Sequence, residues 1–465
     1  MPTISEELVS NILETRYEVF SDELVADAKK RIIDVIGCAI GGANASGNAA
    51  IIDLVREWNG KKEATVLVHG DRVTAHDAAM VNSIMCRSYD YEVCGPELEG
   101  KAAGRMSGHI CGTTECTALA VAEQKASNGK ELITAIILGG DMASRIASAE
   151  DYSFDHSFDA SGTVNGFGAT AVAGRLWSLS EKQMLNALGI VVNQLAGSFQ
   201  SILDGVHTFK LYQGLSARNG IISVELASKN FTGIKDPLMS RHGYFSRYCK
   251  SYRPELVTTE LGKRFYTKGA HKLYPGCYAN HAAIECGLEL HRQHHINPED
   301  IVEVTVSIIP MLCNSFLNQP FKAGDTQMKA SFNLPYNVAN VLLRKSTRLE
   351  HFTTEFLQDP KVINLAKKVK IVPTMTPPKN GWAQKAWATD LRVKMKDGSE
   401  FSAYADAPKG RLLYPLGSDE IKNKFRNNVA FSGKVSSKKA EEAITMLDTL
   451  EEVNDVTKIF KLLTL

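Results

Sequence analysis

The sequence lacks the patterns that mark several common classes of protein. Its nine cysteines are scattered without a CxxC pair, and an odd number without a framework indicates reduced thiols in a cytosolic protein. No Walker-type phosphate loop is present. Lys and Arg number 53 and Asp and Glu 52, so the net charge of +1 argues against a nucleic-acid-binding surface and a polybasic membrane anchor.

A long uninterrupted apolar run is also missing. The most apolar stretch, residues 132–142, is broken by Gly139, Gly140 and Asp141 and is too short to span a bilayer. It predicts a buried helix in which Gly139-Gly140 permits close packing. Residues 1–23 alternate acidic and apolar side chains without a basic segment before an apolar run, so no signal peptide is expected. We therefore expect a soluble, cytoplasmic protein.

Motifs for metals and cofactors are incomplete. Cys111 and Cys116 flank a helix start without the further cysteines of an iron–sulfur site. His291, His294 and His295 lie at the polar end of a predicted helix, and nothing supplies the remaining ligands of a metal site. We expect neither a metal nor a cofactor.

The first half of the chain shows helical periodicity. Its 465 residues, 44% hydrophobic and 23% charged, indicate two or three ordered domains. Ser21 precedes apolar residues at three- and four-residue spacing, and Gly41-Gly42 ends that pattern. Ser180 and Gln183 match a capping box. Small residues crowd several of these helices, which is typical of a large buried helical bundle.

The pattern changes after residue 265. Residues 301–308 alternate like a half-buried strand, and residues 369–373 are a second candidate. Residues 391–395 and 401–404 enclose Asp397-Gly398 and predict a hairpin with a type I′ turn. Further helical signals lie at residues 334–343 and from Ser418 onward. These elements predict a small α+β domain and a C-terminal tail that either rejoins the helical domain or covers the smaller one.

The most informative candidate for a functional loop surrounds Pro275-Gly276. Lys272 and Tyr274 precede this turn and His281 follows it, directly before an apolar helical pattern. A rigid helix holds the side chains that such a loop exposes, so the Lys can bind a carboxylate and the His can handle a proton. A turn with a helix cap and no further role is the alternative.

Three more polar residues lie at predicted helix ends. Asp90 follows an apolar helical pattern, and His109 precedes another, where backbone N–H groups favour a bound anion. Lys210 lies before a helix of small residues, and a buried Lys is costly unless it meets an anion such as a substrate carboxylate. Solvent-exposed or capping roles are the alternatives.

The chain as a whole resembles the MmgE/PrpD family, which includes 2-methylcitrate dehydratases, cis-aconitate decarboxylases and iminodisuccinate epimerases. The resemblance implies a mainly α fold with a large all-helical domain, residues 1–268 and 406–465, and a smaller α+β lid domain, residues 269–405. It also implies a homodimer without a cofactor. The matching motifs, besides the loop around Pro275-Gly276, include Ile33-Asp34-Val35-Ile36-Gly37, Phe231-Thr232-Gly233, His242-Gly243-Tyr244-Phe245 and Pro408-Lys409-Gly410.

The resemblance also implies a set of site residues. Asp90 matches an active-site Asp of the family, and Arg87 stands where the family usually has His. His109 matches a His of the catalytic loop, although Ile110 replaces the family's following Pro. Lys210 lies at or next to a family Lys.

Position 159 departs most from the family pattern. The family usually reads His-Pro-Thr-Gly-Thr, whereas this chain has Asp159 followed by Ala160-Ser161-Gly162-Thr163. An acid/base imidazole is therefore missing there. Either Asp159 or the upstream His156 replaces it, or the reaction differs from the family's dehydration.

The resemblance implies a cofactor-independent lyase that dehydrates or decarboxylates a small di- or tricarboxylate through α-proton abstraction. Asp90, His109, Asp159 and His281 are the acid/base candidates. The candidate carboxylate binders are Arg87, Lys210, Lys272 and Tyr274. An epimerase of an iminodisuccinate-like dicarboxylate and a non-catalytic anion-binding protein remain as alternatives.

Overall fold

The computed structural model describes residues 2–102, 108–151, 158–374 and 387–464 and is mainly α-helical, as predicted. The helices before residue 269 are α1 (Ile4–Glu14), α2 (Asp22–Gly42), α3 (Asn48–Trp58), α4 (Ala75–Arg87), α5 (Cys111–Lys125), α6 (Gly129–Ala149), α7 (Val164–Leu176), α8 (Glu181–Val191), α9 (Gln200–Asp204), α10 (Thr208–Ser228), α11 (Tyr244–Tyr248) and α12 (Glu255–Thr258). Two short paired strands, β1 (Ala64–Thr65) and β2 (Arg72–Val73), interrupt them.

Local sequence signals explain where these helices begin and end. The Ser21 hydroxyl accepts a hydrogen bond from the Leu24 amide at the start of α2. Ser180 and Gln183 form the predicted reciprocal capping box at the start of α8. Such caps pair backbone amides that have no partner within the helix. The predicted starts of these two helices are therefore confirmed.

The apolar stretch around residues 132–142 lies in α6, which is buried as predicted. Among the described residues, α6 is the one helix with the length and composition to cross a membrane, and its apolar window lies entirely inside the protein. A Cβ atom added at Gly139 would lie 2.3 Å from the Val172 Cγ2 atom of α7. The predicted close packing at Gly139-Gly140 is therefore present.

The second half contains the predicted sheet. Strands β3 (Ile301–Ile308), β4 (Val369–Pro373), β5 (Thr389–Met395) and β6 (Glu400–Ala405) are arranged in the order β4-β3-β5-β6. β3 pairs in parallel with β4 and antiparallel with β5, which pairs antiparallel with β6. The helices of this part are α13 (His281–Gln293), α14 (Pro310–Cys313), α15 (Gln327–Ser331), α16 (Leu334–Arg344), α17 (Thr354–Leu357) and α18 (Pro360–Ala366). α13 and α16 contact each other and the sheet.

The hairpin between β5 and β6 is present, but the predicted type I′ turn is wrong. The Met395 amide donates to the Ser399 carbonyl at 2.9 Å, so the loop between them has three residues rather than two. Gly398 has φ +87°, whereas Asp397 is not among the residues with positive φ. A type I′ turn needs positive φ at both central residues, and a three-residue loop needs it only at the last.

The C-terminal tail rejoins the helical part of the protein. Its helices are α19 (Ser418–Ser432), α20 (Ser437–Asp448) and α21 (Thr457–Leu462). α19 packs along α2, where Gly37 permits close approach to Phe425. Of the two alternatives for the tail, the structure selects packing against α2. The loop that carries Lys272, the end of α4, α2 and α19 consequently meet around one buried region.

Candidate active site

The candidate site begins at the C-terminal end of α4. Arg87 is the last residue of this helix, and the chain then turns through Asp90, whose φ of +48° is left-handed. Asp tolerates this conformation better than most residues. The turn directs two carboxylates back to the helix end, so that Arg87 Nη1 lies 2.5 Å from Asp90 Oδ1 and 2.5 Å from Glu92 Oε1. All three side chains are buried.

His109 reaches the same guanidinium from the start of α5. Its Nδ1 atom lies 2.5 Å from Arg87 Nη1 and 3.0 Å from Glu92 Oε1. Asn165 of α7 fixes the backbone here by donating to the His109 carbonyl at 2.7 Å. The His109 side chain is 24% exposed, whereas Arg87 and Glu92 are almost fully buried. His109 is therefore the member of this group that a small molecule can reach.

Lys272 completes the group from the loop before α13. Its Nζ atom donates to the Asp90 carbonyl at 2.5 Å and lies 2.9 Å from Asp90 Oδ1. Reciprocal backbone hydrogen bonds of 2.9 and 2.8 Å between Cys94 and Ala270 hold this loop beside the turn. The structure thus brings together four of the predicted residues. With Glu92 they form the acid–base cluster: Arg87, Asp90, Glu92, His109 and Lys272.

The electrostatics of the cluster favour charged side chains. Burial raises the pKa of Glu92, but Arg87 and His109 lower it further, so the net pKa lies below its usual value. Burial lowers the pKa of Lys272, but Asp90 raises it above the ordinary value. Burial and Arg87 lower the pKa of His109, whereas Cys94 raises it, and the net pKa is about 9. At neutral pH His109 therefore holds a proton and is suited to act as an acid.

His281 and Tyr274 lie next to each other, beyond Lys272. His281 is the first residue of α13, stacks on Tyr278 and meets the edge of Tyr274 at a ring distance of 5.3 Å. Burial lowers the pKa of His281 well below its usual value, and Lys272 adds to this effect. His281 is therefore a buried neutral imidazole within electrostatic range of the cluster.

Lys210 lies apart from the cluster. It belongs to the first turn of α10 and not to the loop that the sequence suggested. Its Nζ atom donates to the Ser46 carbonyl at 2.7 Å and to the Ser88 hydroxyl at 3.2 Å. Burial lowers its pKa to about 7. The adjacent Phe209 ring lies 4.4 Å from the Arg87 guanidinium carbon, so α10 packs against the cluster through this ring.

Asp159 has a local structural contact. Its Oδ1 atom accepts a hydrogen bond of 2.8 Å from the Ser161 amide and caps the short helix Ala160–Gly162. Burial raises the pKa of Tyr212, and Asp159 adds to this effect. Burial lowers the pKa of Arg87, but Glu92, Asp90 and, after them, Asp159 raise it, so Asp159 lies within electrostatic range of the cluster. The other candidate for this role, His156, lies outside the described residues.

Two members of the site were missed at the sequence level. Glu92 stands two residues after Asp90 where the family has a further acid, and this was the available signal. Cys94 lies with its Sγ atom 3.4 Å from His109 Nδ1. No spacing in the sequence predicts that contact, because the two residues are 15 positions apart and only the fold brings them together.

The carboxylates and the imidazole of the cluster include the donor types of a metal site. One donor atom from each of Asp90, Glu92 and His109 lies within 4.8 Å of the others, which is close enough to share an ion. The Arg87 guanidinium contacts all three. A protein cation therefore lies where an ion would bind.

A mostly helical fold combined with an α+β unit and a buried cluster of acids and bases defines an enzyme-like architecture. The chain matches the MmgE/PrpD N-terminal domain over residues 6–257 and the MmgE/PrpD C-terminal domain over residues 274–452. It therefore belongs to the MmgE/PrpD family.

Two curated relatives align with this chain over nearly their whole length. A cis-aconitate decarboxylase from Mus musculus is 23% identical over an alignment of 475 positions that covers 100% of this chain and 94% of the relative. A cis-aconitate decarboxylase from Homo sapiens is 23% identical over 473 positions, covering 100% and 95%.

Proposed function

We propose that the protein is a lyase that acts on a small polycarboxylate and that the acid–base cluster is its active site. The observation that carries this proposal is the contact of the partly exposed His109, whose pKa is raised to about 9, with the buried carboxylate of Glu92. Membership of the MmgE/PrpD family and relatives named as cis-aconitate decarboxylases support the substrate class.

Decarboxylation suits this cluster better than dehydration. Dehydration needs a base to remove the α-proton as well as an acid for the leaving hydroxide. In the cluster, Arg87 and His109 lower the pKa of Glu92 despite its burial, which weakens this carboxylate as a base, and Asp90 is bound by both Arg87 and Lys272. Loss of CO2 from an unsaturated tricarboxylate needs a proton donor but no base. An epimerase needs two bases on opposite faces of one carbon.

With cis-aconitate as substrate, the electron balance of the step is simple. The C–C bond to the carboxylate on the saturated carbon breaks, and CO2 leaves. The electron pair forms a new double bond, while the old double-bond pair moves to the carbon that bears another carboxylate. That carbon accepts the proton of His109, and the product is an unsaturated dicarboxylate. The α-proton abstraction expected from the sequence is not part of this step.

The net positive charge of the cluster would attract the substrate's remaining carboxylates. Counting Arg87, Lys272 and His109 as positive and Asp90 and Glu92 as negative gives the cluster a net charge of +1, from three cations and two anions. Lys210 adds a further amine, which donates to the hydroxyl of Ser88, the residue after Arg87. A preorganised positive field stabilises the enolate-like charge that develops as CO2 leaves.

Incubation with cis-aconitate, citrate and iminodisuccinate in deuterium oxide tests the proposal. A decarboxylase releases CO2 from cis-aconitate and adds one deuteron to the product, which NMR and mass spectrometry detect. Dehydration of citrate without CO2 indicates the dehydratase, and α-deuterium exchange without a change of formula indicates the epimerase. Binding of all three anions without any turnover would contradict the lyase proposal and favour an anion-binding protein.

We propose a reaction without a metal or organic cofactor, because Arg87 supplies the cation between the three donor groups. Activity that chelation abolishes and an added metal restores would contradict it.

We also propose a cytoplasmic homodimer. Analytical ultracentrifugation tests the oligomeric state, and fractionation of cells tests the location.

A further inference from the structure

A second buried polar group lies behind the acid–base cluster and is not part of the proposed reaction. Asp34 of α2 is fully buried, and its Oδ1 atom lies 2.8 Å from Lys424 Nζ of α19. Its other oxygen lies 2.7 Å from His271 Nδ1. One carboxylate thus joins a helix from the start of the chain, a helix from its end and the loop that carries Lys272.

This group contacts both sides of the cluster. Lys424 Nζ also donates to the Tyr91 carbonyl at 2.6 Å, and Tyr91 lies between Asp90 and Glu92. On the other side, His271 immediately precedes Lys272. Asp90 is therefore the neighbour of Tyr91, which Lys424 contacts, and Lys272 is the neighbour of His271, which Asp34 contacts. Asp90 and Lys272 are themselves an ion pair.

We propose that Asp34 and Lys424 are positioning residues that set the geometry of the Asp90–Lys272 pair. They touch neither the reacting atoms nor the substrate in this account, and the inference rests on the proposed function of the cluster. Asp34 fixes the loop at His271, Lys424 fixes the turn at Tyr91, and their mutual ion pair fixes the distance between the two.

The cost of burying these charges supports a geometric role. Burial raises the pKa of Asp34, but Lys424 and His271 lower it further, so the net pKa lies below its usual value. Burial lowers the pKa of Lys424, but Asp34 raises it above the ordinary value. A buried ion pair is often no more stabilising than apolar residues of similar size. Helices α2 and α19 already have an apolar contact at Gly37 and Phe425, so holding them together does not require the pair.

The chain offers a matched control for the link between α2 and the C-terminal segment. Lys29, also on α2, donates to the Asp448 carbonyl at 2.7 Å and lies 2.9 Å from Glu451 Oε1. This contact joins the same two parts of the chain but does not touch residues 90–92 or 271–272. Lys29→Met therefore removes a more exposed ion pair between the same two parts of the chain, away from the site.

The experiment compares Lys424→Met, Asp34→Asn, the double variant and Lys29→Met in thermal unfolding and in turnover of cis-aconitate across pH. The single variants at Asp34 and Lys424 each leave a buried group without its charged partner and lose stability. The double variant recovers much of that stability because no unpaired charge remains. We expect its kcat to stay about 10- to 100-fold below wild type, since small displacements of catalytic groups have effects of that size.

The pH profile separates positioning from simple destabilisation. Displacement of the Asp90–Glu92 turn changes the charges around His109, so the alkaline limb of kcat/KM shifts in the double variant, whereas Lys29→Met leaves it unchanged. Recovery of wild-type kcat and of the wild-type pH profile together with stability in the double variant would overturn the inference. The proposed function itself fails separately if Asp90→Asn and His109→Gln retain wild-type turnover.

Discussion

Lys272 contacts Asp90 twice, through the side-chain oxygen at 2.9 Å and the backbone carbonyl at 2.5 Å. The two residues are 182 positions apart in the sequence, and both are almost fully buried. This double contact closes the turn after α4 onto the loop before α13. The helical part and the α+β part of the chain thus meet at a charged pair inside the candidate site.

Lys272→Met tests how much this contact contributes to the free energy of unfolding. Asp90 keeps its contact with Arg87 in this variant, so the loss comes from the Lys272 contacts with the Asp90 carboxylate and carbonyl, and we expect the unfolding free energy to fall by about 1–3 kcal/mol. Urea denaturation of wild type and variant measures it. The Lys272→Met/Asp90→Asn double variant is the control, and the difference between its loss and the sum of the two single losses measures the coupling of the two side chains. A loss for the single variant as small as that of a surface pair, below about 1 kcal/mol, would contradict the buried pair.

The activity should decline as the pH rises through about 9. His109 acts as the proton donor in this account, and its pKa is raised to about 9. Because the folded pKa exceeds the unfolded value, the stability contributed by the His109 charge is complete below pH 6.5 and is lost as the pH rises through 9. A pH profile of kcat/KM checks the first point. An activity that increases between pH 7 and 9 would assign His109 the role of a base.

Lys210→Met should stabilise the fold and weaken substrate binding. Burial lowers the pKa of Lys210 to about 7, so its protonation in the folded state opposes folding. Because the folded pKa lies below the unfolded value, this penalty is complete below pH 7 and fades as the pH rises towards 10.5. We expect a higher Tm at pH 6 and a KM raised about tenfold or more. An unchanged KM would show that Lys210 does not bind the substrate.

Asp159→Asn distinguishes a helix-capping role of Asp159 from a role as a catalytic acid. Asn retains an oxygen for the Ser161 amide, so the short helix keeps its cap and Tm changes little. The variant loses the negative charge that acts on Arg87, and we expect kcat/KM to change less than about tenfold. Asp159→Ala removes the cap as well and should cost about 1 kcal/mol. A loss of activity with Asp159→Asn as large as with Asp90→Asn would instead place a proton transfer at Asp159.

Periodicity and caps gave the secondary structure in detail, because those signals act within a few residues. Ser21, Gly42 and the alternating residues 301–308 define their elements locally. The turn at Asp397-Gly398 was mispredicted because the same two residues suit two- and three-residue hairpin loops, and the strand register decides between them.

The composition of the site was less accessible from sequence. Lys272 was singled out from the turn at Pro275-Gly276, and Asp90 and His109 from predicted helix ends together with the family resemblance, but their mutual contacts were not predicted. Glu92 and Cys94 join them because a backbone pairing between Cys94 and Ala270 brings distant loops together. The contact of Lys424 with Asp34 spans 390 residues, and no local pattern encodes a contact at that separation.

The most direct test of the account measures the fate of one proton. Wild-type protein and His109→Gln are incubated with cis-aconitate in deuterium oxide near pH 7, and CO2 release and the deuterium content of the product are recorded. The account predicts one CO2 and one deuteron on the carbon next to a carboxylate per turnover for wild type, with at least a 100-fold slower release of CO2 for His109→Gln. Release of CO2 by His109→Gln at the wild-type rate, or deuterium exchange without any CO2 from the wild type, would contradict it.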